Sequence, residues 1–286
     1  MSTILKRILA LSLVLILAFA FVGCAEEELT QEEVDQIVAN AVAASAEVDS
    51  YKFDMNMPMT TIEVIGGAQP GEMAMAVDGA WVVDNASQEM QMTMNMTMDI
   101  PGQGEQEMAM ETYLVGEWMY MKMSMDEQWM KMQLTEEMWE TQSQIDQQVE
   151  LLETATEVNY LRSENVDGTA CYIMEIVPSM EALGNLLSQR LGMIPGMEGI
   201  DFPVDLASLF KEMSFKQWIA KDSYLTMKSG AHMLMEMSPG DVGATGEDFE
   251  KMTMSMDMVT EVYDYNQAVS IELPEEALEA PEMLDL

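Results

Sequence analysis

From Met90 to Met98 every second residue is methionine, with Gln91, Thr93, Asn95 and Thr97 between them. A period of two sends successive side chains to opposite faces of an extended chain. The segment therefore reads as a strand with one thioether face and one polar face. The pattern is not local. Tyr51, Phe53, Met55, Met57 and Met59 alternate with Lys52, Asp54, Asn56 and Pro58, and Met73, Met75, Val77 and Trp81 keep the same parity. Met108 and Met110 follow, then Met119, Met121, Met123 and Met125, then Met130 and Met132. Pro70-Gly71, Asp84-Asn85, Pro101-Gly102 and Gly116 punctuate these runs with turn chemistry. Alternating runs joined by short turns predict an antiparallel meander with one apolar face.

The flanking sequence adds helices at the seams. Thr30-x-x-Glu33 is a capping box, and Val34, Ile37, Val38 and Val42 follow at helical spacing, which predicts a helix over 31–47. A polar helical region is predicted from residue 135 toward Tyr160, with Met138, Ile145, Val149 and Leu152 as a sparse stripe. A strand over 169–177, a helix over 180–191, a loop and a short helix over 204–213 come next. Strands over 215–221, 224–237 and 251–265 and a last short strand at 269–273 complete the series. This order is that of an α+β chain built on one large twisted antiparallel sheet.

The start of the chain is a different kind of segment. Lys6-Arg7, an apolar run from Ile8 to Val22 and then Gly23-Cys24 are the parts of a secretory signal. The run is shorter than the ~20 residues that span a bilayer comfortably. Phe21-Val22-Gly23-Cys24 resembles a bacterial lipobox, in which the cysteine is lipidated and becomes the new N-terminus. The expected organisation is a signal peptide at 1–23, a lipidated acidic tether at 24–30 and a single domain at 31–286, held outside the cytosol on a membrane.

The charge excludes one class of partner. Twelve Lys and Arg stand against 51 Asp and Glu, a formal charge of −39. Loss of residues 1–23 removes Lys6 and Arg7 and no acid, so the exported chain is more acidic still. Such a surface repels nucleic acid and anionic headgroups. With Cys24 lipidated, Cys171 has no disulfide partner and reads as a buried small hydrophobe within an apolar strand. His232 is the one histidine. No phosphate loop, His-Glu-x-x-His or serine nucleophile elbow is present, no cofactor motif stands out, and no carboxylate pair is singled out as acid and base. The expectation is a binding protein without catalysis.

Methionine accounts for 34 of 286 residues. Three uses stay open at this point. One is a packed core in a structural or sensory lipoprotein, although β-branched residues suit strands better. Another is an adaptable surface for a lipid or other apolar molecule, because the thioether side chain has three rotatable bonds and a polarizable sulfur. Trp81, Trp118 and Trp129 would line or rim it. The third is copper(I), which thioethers bind. The candidate ligand-binding residues are Met55, Met57, Met92, Met94, Met96, Met119, Met121, Met123, Met130, Met132, Met235, Met254 and Met256.

Several segments, in their order along the chain, carry a family resemblance. They are the helix leading into Ser50-Tyr51-Lys52-Phe53, the segment from Gly116-Glu117-Trp118 to Trp129-Met130-Lys131, and the run from Asp167-Gly168 to Pro178. Lys216-Gln217-Trp218-Ile219 and the closing Ile271-Glu272-Leu273-Pro274 complete the set. The chain resembles the LolA/LppX-like periplasmic lipid-binding lipoproteins. That resemblance implies an unclosed β-barrel: a strongly curved antiparallel sheet with helices covering its concave face and a cavity for lipids or acyl chains. An anchored member would be a resident lipid-handling protein of the cell envelope rather than a free shuttle.

Overall fold

A computed structural model of the chain describes residues 28–66, 70–102, 104–124, 128–134, 139, 144–180, 209–242 and 250–282. Helix α1 (Gln31–Ser45) begins at the expected capping box. The Thr30 backbone N–H donates to Glu33 Oε2 at 2.8 Å and the Glu33 N–H donates back to Thr30 Oγ1 at 3.4 Å. Val34, Ile37 and Ala41 form its buried face.

Six strands follow: β1 (Ser50–Ile65), β2 (Gly71–Asp84), β3 (Glu89–Ile100), β4 (Gly104–Val115), β5 (Trp118–Met123) and β6 (Trp129–Gln133). Each pairs antiparallel with the one before it. Helix α2 (Gln144–Glu153) precedes a second set, β7 (Ala155–Val166), β8 (Thr169–Pro178), β9 (Phe210–Ala220), β10 (Thr226–Met237) and β11 (Lys251–Tyr263). A short helix α3 (Glu275–Leu278) closes the described chain. All eleven strands belong to one sheet in the order β6-β5-β4-β3-β2-β1-β11-β10-β9-β8-β7. Two meanders thus meet at the β1–β11 seam, and α2 lies on the connection between the outer edges.

The strongly curved, unclosed-barrel expectation does not hold. The sheet is open, with β6 and β7 at its two edges, and it is not strongly curled. Curling needs bulges and kinks repeated across the ladders. Here the register runs unbroken through β2–β3, β3–β4, β4–β5, β5–β6 and β10–β11. Shifts fall in β1 between Met57 and Thr60, in the β9–β10 ladder and in the β7–β8 ladder. Helical cover is also local. Helix α1 packs on α2, Val158, Met174, Ile176 and Ile219, and α2 reaches the cluster around Tyr51, Phe53, Trp81, Val83, Met90 and Leu114 through Ile145 and Val149. The Gln217 side-chain amide donates to the Gln148 carbonyl at 3.3 Å, tying α2 to β9.

Three local expectations are corrected. The helical region predicted toward Tyr160 stops at Glu153, and β7 starts at Ala155. Val158 and Tyr160 there pair with Ile176 and Met174, so cross-strand burial overrides a weak helical stripe. Phe210 to Met213 belongs to β9 rather than to a short helix. Residues 269–273 form no strand, because the chain there leaves the sheet for α3. The helix predicted over 180–191 lies, apart from its first residue, outside the described residues.

Candidate functional site: a methionine face across the sheet

The register places the methionines of both meanders on one face. One row crosses the sheet as Thr260, Met55, Gly79, Met94, Met110 and Met123. The next, toward α2, reads Val262, Phe53, Trp81, Met92, Thr112, Met121 and Met130. Beyond it Tyr51, Val83, Met90, Leu114, Met119 and Met132 align. On the other side of the first row, Met57, Val77, Met96 and Met108 align, followed by Met213, Met233, Met256, Thr60, Met75 and Met98. Met235, Met254, Ile62 and Met73 form the row after that.

All thirteen candidate methionines therefore share this face. The same alternation also carries Met73, Met75, Met98, Met108, Met110, Met213, Met233, Met237, Met252 and Met258 onto it, and the candidate set omitted them. Their signal was the period itself. Cys24 lies outside the described residues.

Burial grades along the strands. Tyr51, Met90, Leu114 and Val262 are fully buried at the helix-covered end. Every one of the thirteen candidates is half-buried. Trp81 stacks on Phe53 with ring centroids 4.5 Å apart and planes at 10°. Its ring leans over Gly79, where an added Cβ would stand 2.6 Å from the indole and 2.9 Å from the Thr93 carbonyl oxygen. Glycine at that row leaves the aromatic ring flat on the backbone.

Three hydroxyls interrupt the thioethers. Thr60, Thr112 and Thr260 are 1–2% exposed, and their Oγ1 atoms have no hydrogen-bond partner among the described residues. A buried hydroxyl without a partner costs about 1–3 kcal/mol.

The opposite face is polar along most of its width. Lys228 pairs with Glu261 at 3.0 Å, Lys251 with Glu236 at 2.6 Å, and His232 Nδ1 with Asp257 at 2.8 Å. The Lys251 ammonium holds the Glu236 carboxyl below its ordinary range. Trp118 and Trp129, expected to rim the methionine face, lie on this other side. Trp129 packs with Tyr113, Tyr120, Ala277 and Ala280 under α3, and Lys131 stands 4.8 Å over the Trp118 ring. Their positions alternate with Met119 and Met130, so strand parity alone excludes them from the thioether side.

Cys171 is fully buried and burial raises its thiol, the opposite of what a nucleophile needs. It pairs with Ala220 on β9, whereas His232 pairs with Ser214. Six residues of strand, ~20 Å, separate those levels, so the two make no catalytic pair. Among the described residues no group of three or more His, Cys, Asp or Glu is placed to hold a metal ion, and no helix is long and apolar enough to cross a membrane.

Comparison with solved structures finds likeness of low identity and broad coverage. The lipoprotein LppX of Mycobacterium tuberculosis is 13% identical, with 85% of this chain and 100% of that one covered and a TM-score of 0.39. LprF of Mycobacterium bovis is 11% identical over 85% and 97% of the two chains, with a TM-score of 0.39. A DUF1329 family protein of Desulfovibrio piger is 12% identical over 84% and 95%, with a TM-score of 0.25. Superpositions this loose carry no argument about function. No curated protein matches the chain. A family model does match, over residues 33–282, from α1 through the whole sheet to the end of α3, and on that match the chain belongs to DUF6612, described as a family of unknown function.

Proposed function

We propose that the protein is an exported lipoprotein, anchored through Cys24, that binds a lipid or another apolar molecule on its methionine face and performs no chemistry on it. The observation that carries this reading is the half-buried thioether surface that crosses the sheet. Thioether side chains mould to acyl chains of no fixed shape. The charge of −39 disfavours anionic lipids, so a neutral or zwitterionic lipid fits best. The signal-like segment before Cys24 supports an address outside the cytosol.

Native mass spectrometry of residues 25–286, purified without detergent, followed by extraction and identification of bound molecules, tests the reading. A co-purifying lipid, displaced by an acyl-chain fluorophore, is the expected result. A ligand-free mass together with no fluorophore binding overturns it.

A further inference from the structure

We propose that Met233, Met235, Met254 and Met256 form a thioether site for a soft monovalent cation, copper(I). The site lies within the methionine face, but its argument does not rest on lipid binding. The register pairs Met233 with Met256 and Met235 with Met254 directly across the β10–β11 ladder. Partners in such a pair have Cβ atoms about 4.5–5.5 Å apart, and two successive rungs lie about 7 Å apart along the strand. Four flexible side chains of this length can reach a common point between the rungs.

The neighbouring strands flank the block with Met213 and Phe210 on β9 and with Thr60 and Ile62 on β1. Met213 flanks Met233 on β9, and the next rung pairs Met237 with Met252. No residue of another kind interrupts the β10–β11 ladder on this face from Met233 to Met237. The β10–β11 ladder thus carries three consecutive Met–Met rungs, whereas β3–β4 carries two, Met94–Met110 and Met96–Met108, bounded by Met92–Thr112 and Met98–Gln106, and β5–β6 carries two. The four side chains are half-buried, so an ion can enter and still be shielded from water. Beside Met256 on β1 stands the Thr60 hydroxyl, 1% exposed and with no hydrogen-bond partner among the described residues.

The donor set selects the ion. Thioether sulfur is soft and uncharged, which suits copper(I) and gives zinc, magnesium or calcium nothing to hold. Four neutral ligands leave a net positive charge at the site. The chain's formal charge of −39 concentrates cations around the molecule and compensates that charge at long range.

The test is anaerobic titration with copper(I) against a competing chelator, under reducing conditions, on residues 25–286. The wild type is expected to retain copper and to show sulfur-only ligation by X-ray absorption. The variant M233L/M235L/M254L/M256L is expected to lose it, whereas M94L/M96L/M108L/M110L on β3 and β4 keeps it. Leucine conserves volume and apolarity, so loss of copper in the first variant reports loss of thioether sulfur rather than of apolar surface, and lipid binding, read separately on the wild type by native mass spectrometry, fails or holds independently of copper retention. Peroxide footprinting of the wild type serves where a variant does not fold. Bound copper(I) is expected to protect the four methionines from sulfoxidation more than Met94 or Met110. No copper retained, equal retention by the β10–β11 variant, loss in both variants, or no difference in protection each overturns the site.

Discussion

At the scale of single residues, Tyr265 links the seam of the sheet to pH. Its hydroxyl donates to the Thr226 carbonyl, and its ring stacks near Tyr51. Burial first, and Tyr51 second, push its phenol well above the ordinary tyrosine range. Between the unfolded value of about 10 and the higher folded value, the native state keeps a proton that the unfolded chain has released. Stability contributed by this group is therefore complete below pH ~10 and falls as pH rises above it. Thermal melts between pH 8 and 12 are expected to show that decline, and Tyr265→Phe to flatten it while costing about 1 kcal/mol at pH 8 for the lost hydrogen bond. Single residues also mark where reading the sequence stopped short. Met59 continues the alternation of Met55 and Met57, yet it is 58% exposed. The extra residue in β1 between Met57 and Thr60 changes the parity there, and Pro58, which cannot donate to a ladder, sits at the irregularity. Thr60 consequently takes the core-side place that the alternation assigned to methionine.

At the scale of elements, the capping box was legible because its mechanism is local. Thr30→Ala removes the acceptor for the Glu33 N–H and is expected to cost about 1 kcal/mol. Chemical denaturation of the folded chain measures it, with the loss expected as a lower midpoint at unchanged slope. The period-two strands were equally legible, since Met90 to Met98 allows no helical reading. Elements whose identity depends on partners far along the chain were not. Ala155 to Tyr160 is a strand because Val158 and Tyr160 bury against β8 and α1, and no local residue announces that. The C-terminal stretch leaves the sheet to seat Ala277 and Ala280 under Tyr113 and Trp129, more than a hundred residues earlier.

At the scale of the whole molecule, like charge opposes compaction. A chain at −39 in which Lys52 already pairs with Asp264 and Lys228 with Glu261 retains a large excess of carboxylates. Added salt shortens the Debye length from about 30 Å at 0.01 M to 8 Å at 0.15 M. The melting temperature is expected to rise over that range, and a flat or falling trend would show that the acids are spaced beyond mutual influence. The lack of strong curl was beyond the sequence for a related reason. Curvature belongs to the ladders as a set, and those around Met94 and Met110 carry no bulge to impose it.

The seam between β1 and β11 has a consequence in time. Both meanders are assembled from neighbours in sequence, but the Ser50 hydroxyl reaches the Gln267 carbonyl across 217 residues of chain. Closing so long a loop is entropically costly, and contacts of that separation slow folding. The two halves should therefore take shape first and meet last. Until they meet, β1 and β11 are both bare edges lined with methionine. That interval is when the chain most needs a partner to cover it, and when it is most open to joining a second copy of itself.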